Sequence, residues 1–266
     1  MRILLVGDVH GKIEKVSGLL ARAKAMFRIG AAIQVGDFGF FESVFAPSGI
    51  TGLYFSVPFY VVDGNHEDHE WLKRQVDTGR VEAWKKAHNL FYQPRGSVLR
   101  IGSSCIGFLG GALHVDRPQK INYATGVSNH IQQIQREEAG LVFNREKPDL
   151  VVTHTCPSGI GVGVRGSDGF QQGVVDFVRG AGFDPGPVAD CGDGELAVLW
   201  RSLKFRPSAW AFGHFHRTHE AQIEGTRFVC VDQFDPSVDF PLVIWDTEEK
   251  RLLVLTGERR SLVPGE

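Results

Sequence analysis

Arg2-Ile3-Leu4-Leu5-Val6-Gly7-Asp8-Val9-His10-Gly11 decides the fold. Its apolar run over 3–6 has no polar break, the pattern of a strand buried on both faces. The run stops at a glycine, and two metal-binding side chains follow, two residues apart. In extended chain Asp8 and His10 fall on one face. Gly11 removes a Cβ where a ligand must come close.

The rhythm continues outward from this unit. Ile13, Val16, Leu19, Leu20, Ala23 and Phe27 recur at helical spacing over 12–27. A second strand over 31–35 stops at Gly36-Asp37, and a third over 57–62 stops before Asp63-Gly64-Asn65-His66-Glu67. Helices are expected over 67–76, 81–87, 131–143, 170–179 and 195–204. A hairpin is expected over 97–110, with strands over 150–152, 209–212, 227–231, 242–245 and 252–255. The glycine-rich stretch 159–173 reads as a loop. Strand–helix alternation of this kind indicates an α/β sheet with loops at the strand ends. There is no repeat, low-complexity tract or linker, so 1–266 reads as one domain.

Composition narrows the classes further. With 42% apolar and 11% aromatic residues the chain can fill a sizeable core. A net charge of −2 lacks the basic surplus by which dedicated nucleic-acid binders gain phosphate affinity. Cys105, Cys156, Cys191 and Cys230 are scattered, with no Cys-x-x-Cys pair. That argues against a zinc ribbon and a disulfide scaffold, and for free thiols in a reducing compartment. The N-terminal apolar run is too short for a signal peptide, and no run approaches the ~18 apolar residues of a membrane span. The expectation is a soluble, cytoplasmic protein with no membrane partner. Its oligomeric state is not set by the sequence.

The chemistry lies in five short segments: Asp8-Val9-His10-Gly11, Gly36-Asp37, Gly64-Asn65-His66-Glu67, Thr153-His154 and Gly213-His214-Phe215-His216. Four directly follow an apolar strand, and the fifth follows Val61-Val62 after a turn. Strand ends form the crevice where ligands bind in open α/β sheets, so separate loops can converge there. Asp37 has two oxygens to share between ions. Asn65 offers a neutral amide oxygen. His66 is left over for proton transfer, its unperturbed pKa lying near neutral; the alternative is that Asn65-His66 caps the next helix. His214 and His216 repeat the spacing of Asp8 and His10, with Phe215 turned to the core. The inventory suits a pair of divalent transition-metal ions, an apparatus for attacking phosphate esters. Imidazole-rich sets favour manganese, iron, zinc or nickel over magnesium or calcium.

The ordered set resembles the calcineurin-like metallophosphoesterase superfamily over 8–216, on the pattern Asp-x-His, Gly-Asp, Gly-Asn-His-(Asp/Glu), His, Gly-His-x-His. The resemblance implies an αββα sandwich of two mixed β-sheets flanked by helices. It implies that Asp8, His10 and His216 hold one metal, that Asn65, His154 and His214 hold the other, and that Asp37 bridges them. It further implies a hydroxide nucleophile between the ions, with His66 as general acid protonating the departing alkoxide. Some members carry a second Asp three residues after the Gly-Asp aspartate, where this chain has Phe40. Asp63, Glu67 and Asp68 are then the alternatives for orienting His66.

Two subgroups share further residues. Asn89-Leu90-Phe91-Tyr92, Pro94-Arg95-Gly96 and Gly110-Gly111-Ala112 are similar to bacterial and phage phosphoesterases. His154-x-x-Pro157-x-Gly159-Ile160 is similar to lariat-debranching enzymes, which carry Cys where this chain has Asp8 and are longer. Arg165, His114, Asp116 and Arg117 are candidates for substrate contact, Arg being well matched to phosphate oxygens. The expected substrate is a phosphate ester, a diester ahead of a monoester. The competing readings are a phosphomonoesterase or protein phosphatase-like enzyme, a non-catalytic scaffold on the same fold, and a purely structural metal site.

Overall fold

Alternation along β1 (Arg2–Val6) sets the layers. Ile3 and Leu5 point into one buried cluster, whereas Leu4 and Val6 join another beneath the helices. The computed structural model describes residues 1–45, 50–113, 121–122, 127–162, 176, 179–180, 191–235 and 241–255. Among them are two six-stranded mixed sheets.

The first sheet has the order β14 (Arg251–Leu255), β13 (Leu242–Asp246), β1, β2 (Ile29–Gln34), β3 (Phe59–Val61), β4 (Leu90–Tyr92). The strands from β1 to β4 are parallel, and β13 and β14 close one edge antiparallel. The second sheet has the order β11 (His219–Ile223), β12 (Thr226–Cys230), β10 (Ala209–Phe212), β9 (Leu150–Thr153), β6 (Ser104–Leu109), β5 (Ser97–Ile101). Here β12, β10, β9 and β6 are parallel, with antiparallel β11 and β5 at the edges. A two-residue pair, β7 (Ile121–Asn122) and β8 (Val127–Ser128), lies apart.

The facing sheets bury Ile3, Leu5, Ile33, Phe108, Val152 and Ala211 between them. The helix α1 (Ile13–Phe27) lays its expected apolar stripe on the outer face of the first sheet. The short α2 (Glu42–Phe45), α3 (His69–Asp77) and α4 (Val81–His88) pack aromatic residues on the same side. On the outer face of the second sheet, α5 (Gln133–Glu146) and α6 (Gly194–Ser202) bring Phe143, Leu199 and Trp200 onto Trp210, Phe212 and Phe228. The αββα expectation is met.

Some local features depart from the expected pattern. β4 and β11 are additions to the expected pattern: β4, Leu-Phe-Tyr, is a run of only three residues, and β11, His-Glu-Ala-Gln-Ile, is a polar edge strand without an apolar run. α3 begins at His69 because the Asp68 side chain accepts the Trp71 N–H and caps it. Asn65 and His66 are therefore free of helix-capping duty. The expected helix over 170–179 lies outside the described residues except at 176 and 179.

Phe40 is fully buried and stacks against Phe45 and Trp84, with Tyr92 edge-on. The position that carries a carboxylate in some relatives of the pattern is here part of an aromatic core. Phe40→Asp should cost at least about 3–5 kcal/mol, the range for deleting a buried phenyl ring, with a further penalty for the buried charge. Denaturant unfolding in the presence of chelator reads this without any contribution from metal.

Candidate metal centre

All five motifs sit where parallel strands end. β1 delivers Asp8 and His10, β2 delivers Asp37, β3 delivers Asn65 and His66, β9 delivers His154, and β10 delivers His214 and His216. Backbone bonds lace these loops together. The Val9 and His10 N–H groups donate to the Asp37 carbonyl at 3.0 and 2.8 Å, and the Gly213 N–H donates to the His154 carbonyl at 2.8 Å. Asp8 Oδ1 accepts the His214 N–H at 3.1 Å, and Asp37 Oδ1 accepts the His66 N–H at 2.8 Å. Such closeness depends on absent side chains: a Cβ on Gly64 would strike Asp37 Oδ1, and one on Gly213 would strike Asp8 Oδ1.

The backbone itself marks the site. His10, Asp37, His214 and His216 have φ of 47°, 54°, 71° and 51°. A non-glycine residue in this left-handed region costs ~1–3 kcal/mol and persists where its surroundings hold it. The other positive-φ non-glycine residues have ordinary reasons. Arg28, Asn89 and Lys147 are helix C-caps, and Glu224 and Lys250 lie in hairpin turns. The strain left over falls on candidate ligands. It also corrects the expectation from strand alternation: Asp8/His10 and His214/His216 are brought together by left-handed turns, not by extended chain. Phe215 packs against the core as expected.

Two overlapping groups result. Asp8, His10 and His216 bring ligand atoms within 4.8 Å of one another, as do Asp8, Asp37 and His154. Asp37 spans both sides, with Oδ1 3.4 Å from His154 Nε2 and Oδ2 4.0 Å from His10 Nε2. Asn65 Oδ1 lies 3.0 Å from His154 Nε2, and the His214 ring centroid is 5.0 Å from that of His154. His66 stands edge-on to His10, ring centroids 5.5 Å apart. The seven expected ligands and His66 are thus gathered in one place.

The donor set fits a cation. His154 Nδ1 donates to the Val35 carbonyl at 2.9 Å. In the neutral ring this leaves Nε2 as a bare lone pair facing Asn65 Oδ1 and Asp37 Oδ1; a backbone carbonyl on the far nitrogen is a common way of orienting a ligating imidazole. Three acceptors converge there, so a positive charge belongs among them, as a proton or as a metal ion. Burial pulls the His154 pKa down, but Asp37 and Asp8 outweigh it and raise it to about 9. Burial would lift Asp37, yet the adjacent His154 holds it well below the carboxylate range. Burial lowers His214 to about 3, leaving it an uncharged imidazole. On the other side, His10 Nε2 and His216 Nε2 face each other at 3.2 Å. Asp8 Oδ2 is buried without a hydrogen bond, although His216 Nε2 is only 3.0 Å away. Nitrogens and oxygens that crowd a common point, each with a lone pair to give, are what ligands to an ion look like.

The three carboxylates weighed as partners for His66 are engaged elsewhere. Asp68 caps α3. Glu67 accepts backbone N–H groups from Phe38, Gly39, Phe40 and Gly64. Burial and the nearby Asp37 push the Glu67 pKa up, to about 8, against the pull of the amide donors. Asp63 accepts Arg95 Nε and Nη2 on Oδ2 at 2.9 and 2.7 Å, and the Tyr92 hydroxyl on Oδ1 at 3.1 Å. Arg95 also donates to the Ser128 and His130 carbonyls, tying the β3 loop to the approach to α5. The sequence flagged Arg95 only through Pro94-Arg95-Gly96; its pairing with Asp63, 32 residues away, has no local signal. His114, Asp116, Arg117 and Arg165 lie outside the described residues.

Burial would raise the Asp63 pKa, but Arg95 and His69 hold it lowered. The stability this gives is complete above the ordinary carboxyl range, near pH ~4, and is lost as pH falls through the depressed native pKa. Arg95→Ala strands a buried charge and should cost about 3–5 kcal/mol, measured by denaturant unfolding at neutral pH.

The family model for calcineurin-like phosphoesterases matches residues 1–218, which takes in all five motifs. The lariat debranching enzyme of Saccharomyces cerevisiae is 24% identical over 257 residues, covering 85% of this chain and 60% of the enzyme. The chain therefore spans less than two thirds of that relative's length. The crystal structure of TT1561 of Thermus thermophilus superposes with a TM-score of 0.58 at 10% identity, covering 96% of this chain and 98% of that one. A putative 5'-nucleotidase from Staphylococcus aureus, crystallised with alpha-ketoglutarate, superposes with a TM-score of 0.52 at 14% identity, over 96% of this chain and 52% of its own. At such identities the superpositions show the fold, two sheets with helices outside, and no described helix is long and apolar enough to cross a membrane. With the strand-end motifs gathered as the pattern requires, and residues 1–218 of the chain matched by the family model, this chain belongs to the calcineurin-like phosphoesterase family.

Proposed function

We propose that the chain, read as one domain over 1–266, is a metal-dependent hydrolase of phosphate esters that works with two divalent transition-metal ions and prefers a diester. One observation carries the reading: the two oxygens of Asp37 face different histidines, His154 and His10, as a carboxylate shared between ions does. Asp8, His10 and His216 would hold one ion; Asn65, His154 and His214 would hold the other. When bound, such a pair supplies Lewis acidity and an activated water. The diester preference leans on the relative named for lariat debranching.

The chain's own residues do the rest. The Val35 carbonyl fixes His154 with Nε2 free to ligate. The Asp37 loop fixes the His66 backbone through Oδ1. His66 stands beside His10, partly exposed, where it can give a proton to a departing alkoxide. Four imidazoles keep solvent contact, His10, His66, His214 and His216, while Asp8, Asp37 and His154 are buried, and His216 is the most open of them. Substrate therefore approaches over His10, His216 and His66.

Chelator-treated protein should hydrolyse neither bis(p-nitrophenyl) phosphate nor p-nitrophenyl phosphate. Added Mn²⁺ should restore activity, faster on the diester, and calorimetric titration should find two ions per chain. Metal uptake without hydrolysis of either ester would favour the scaffold reading. His66→Ala should lower turnover of an alkyl ester by ~10²–10⁴-fold, the usual worth of a general acid, and leave an aryl ester nearly unchanged. Equal losses on both esters would remove His66 from that role.

A further inference from the structure

Two loops of the site hold each other by exchange of acids. Asp37, on the β2 loop, accepts the His66 N–H of the β3 loop at 2.8 Å. Glu67, on the β3 loop, reaches back to three successive amides of the β2 loop: Phe38 N–H to Oε1 at 2.8 Å, and Gly39 and Phe40 N–H to Oε2 at 3.0 and 2.6 Å. Its own loop adds Gly64 N–H to Oε1 at 3.4 Å. The Phe40 carbonyl also accepts the Asp68 N–H at 3.1 Å, so the contact runs both ways along the backbone. Both oxygens of Glu67 are occupied, each by two donors, and the side chain is almost wholly buried.

We propose that Glu67 is a positioning residue: its carboxylate gathers the amides after Asp37 into an anion-binding nest and so fixes Asp37 and His66 relative to each other. Successive backbone N–H groups that converge in this way bind anions, and here the anion is supplied by the neighbouring loop. The segment so held is the one that needs holding. Asp37 has φ 54°, and the glycines on either side, Gly36 and Gly39, have φ 108° and 107°. A segment with three positive-φ residues in four has little intrinsic preference for that shape, so an external acceptor for its amides selects it. The nest explains why the side chain after His66 is an acid although it neither faces the ligand cluster nor caps α3. It also accounts for the fixing of His66 without a carboxylate at position 40, since the His66 backbone is bound to Asp37 and Asp37 is bound in turn through Glu67.

The proposal rests on the metal reading above for its consequence, but the nest itself can be tested without metal. In chelated protein, hydrogen exchange of the Phe38, Gly39, Phe40 and His66 amides should be accelerated about tenfold or more in Glu67→Gln, the effect of losing one hydrogen bond from the nest. Wild-type exchange at those amides would overturn the proposal. In the second arm Mn²⁺ is titrated calorimetrically. Glu67→Gln should weaken Mn²⁺ binding about tenfold or more, whereas Asp68→Ala, which removes the neighbouring helix cap, should lower thermal stability and leave Mn²⁺ affinity unchanged. Faster exchange with unaltered Mn²⁺ affinity, or equal loss of affinity in Asp68→Ala, would make Glu67 merely structural and overturn the positioning role. If Glu67→Gln does not fold, Glu67→Asp keeps the charge on a shorter arm. It should shift both readouts in the same direction by less, and wild-type values in both would overturn the proposal. A wild type that takes up no Mn²⁺ would sink the metal reading, and the exchange arm would still decide the nest.

Discussion

The two sheets meet at their carboxyl edges through His154. Its imidazole leaves the second sheet at the end of β9 and donates to the Val35 carbonyl at the end of β2 in the first. It is wholly buried, and the space it fills is open only because Gly36 has no side chain there. The bond fixes the spacing of the sheets at the place where the loops converge. It also fixes the tautomer, so that Nε2 faces Asn65 and Asp37. Architecture and ligand geometry are settled by one donor and one acceptor, and the remaining loops arrange themselves around that contact.

Electrostatics then explains why the surrounding groups are so deeply placed. Asp8 and Asp37 are about 1% exposed, which for carboxylates is costly unless positive charge lies beside them. In this structure His154 and His216 stand in that place. A bound cation would do the same more strongly, and it would sit against Asp8 Oδ2, which has only His216 beside it. The left-handed backbone at four of the candidate ligands points the same way. Such strain is kept where the surrounding structure over-determines it, and the laced amides and the Glu67 nest provide that determination.

Much of this was legible in the chain. The strand over 3–6, the helix over 12–27 and the strand over 209–212 announced themselves by period and by continuous apolar runs, which burial on both faces demands. The strand-end glycine followed by a ligand was readable because close approach of loops needs glycine. The left-handed turns were not: spacing of two looks the same in extended chain and in a turn, and only coordinates separate them. Asp63 with Arg95 and Glu67 with Phe38–Phe40 were not readable either, since contacts across about thirty residues between loops leave no periodic trace. β11 was hidden by its polarity, for an edge strand with one face in water has no need of an apolar run.

The spread of the ligands along the chain bears on biogenesis. His10 and His216 touch across 206 positions, and neither sheet alone carries a complete set. A growing polypeptide that has emerged as far as β4 offers two aspartates, an asparagine and a histidine, all on loops whose partners are still to be made. The complete set of candidate ligands therefore exists only where the two sheets are docked, and any ion that needs all of it finds a site only in the assembled fold.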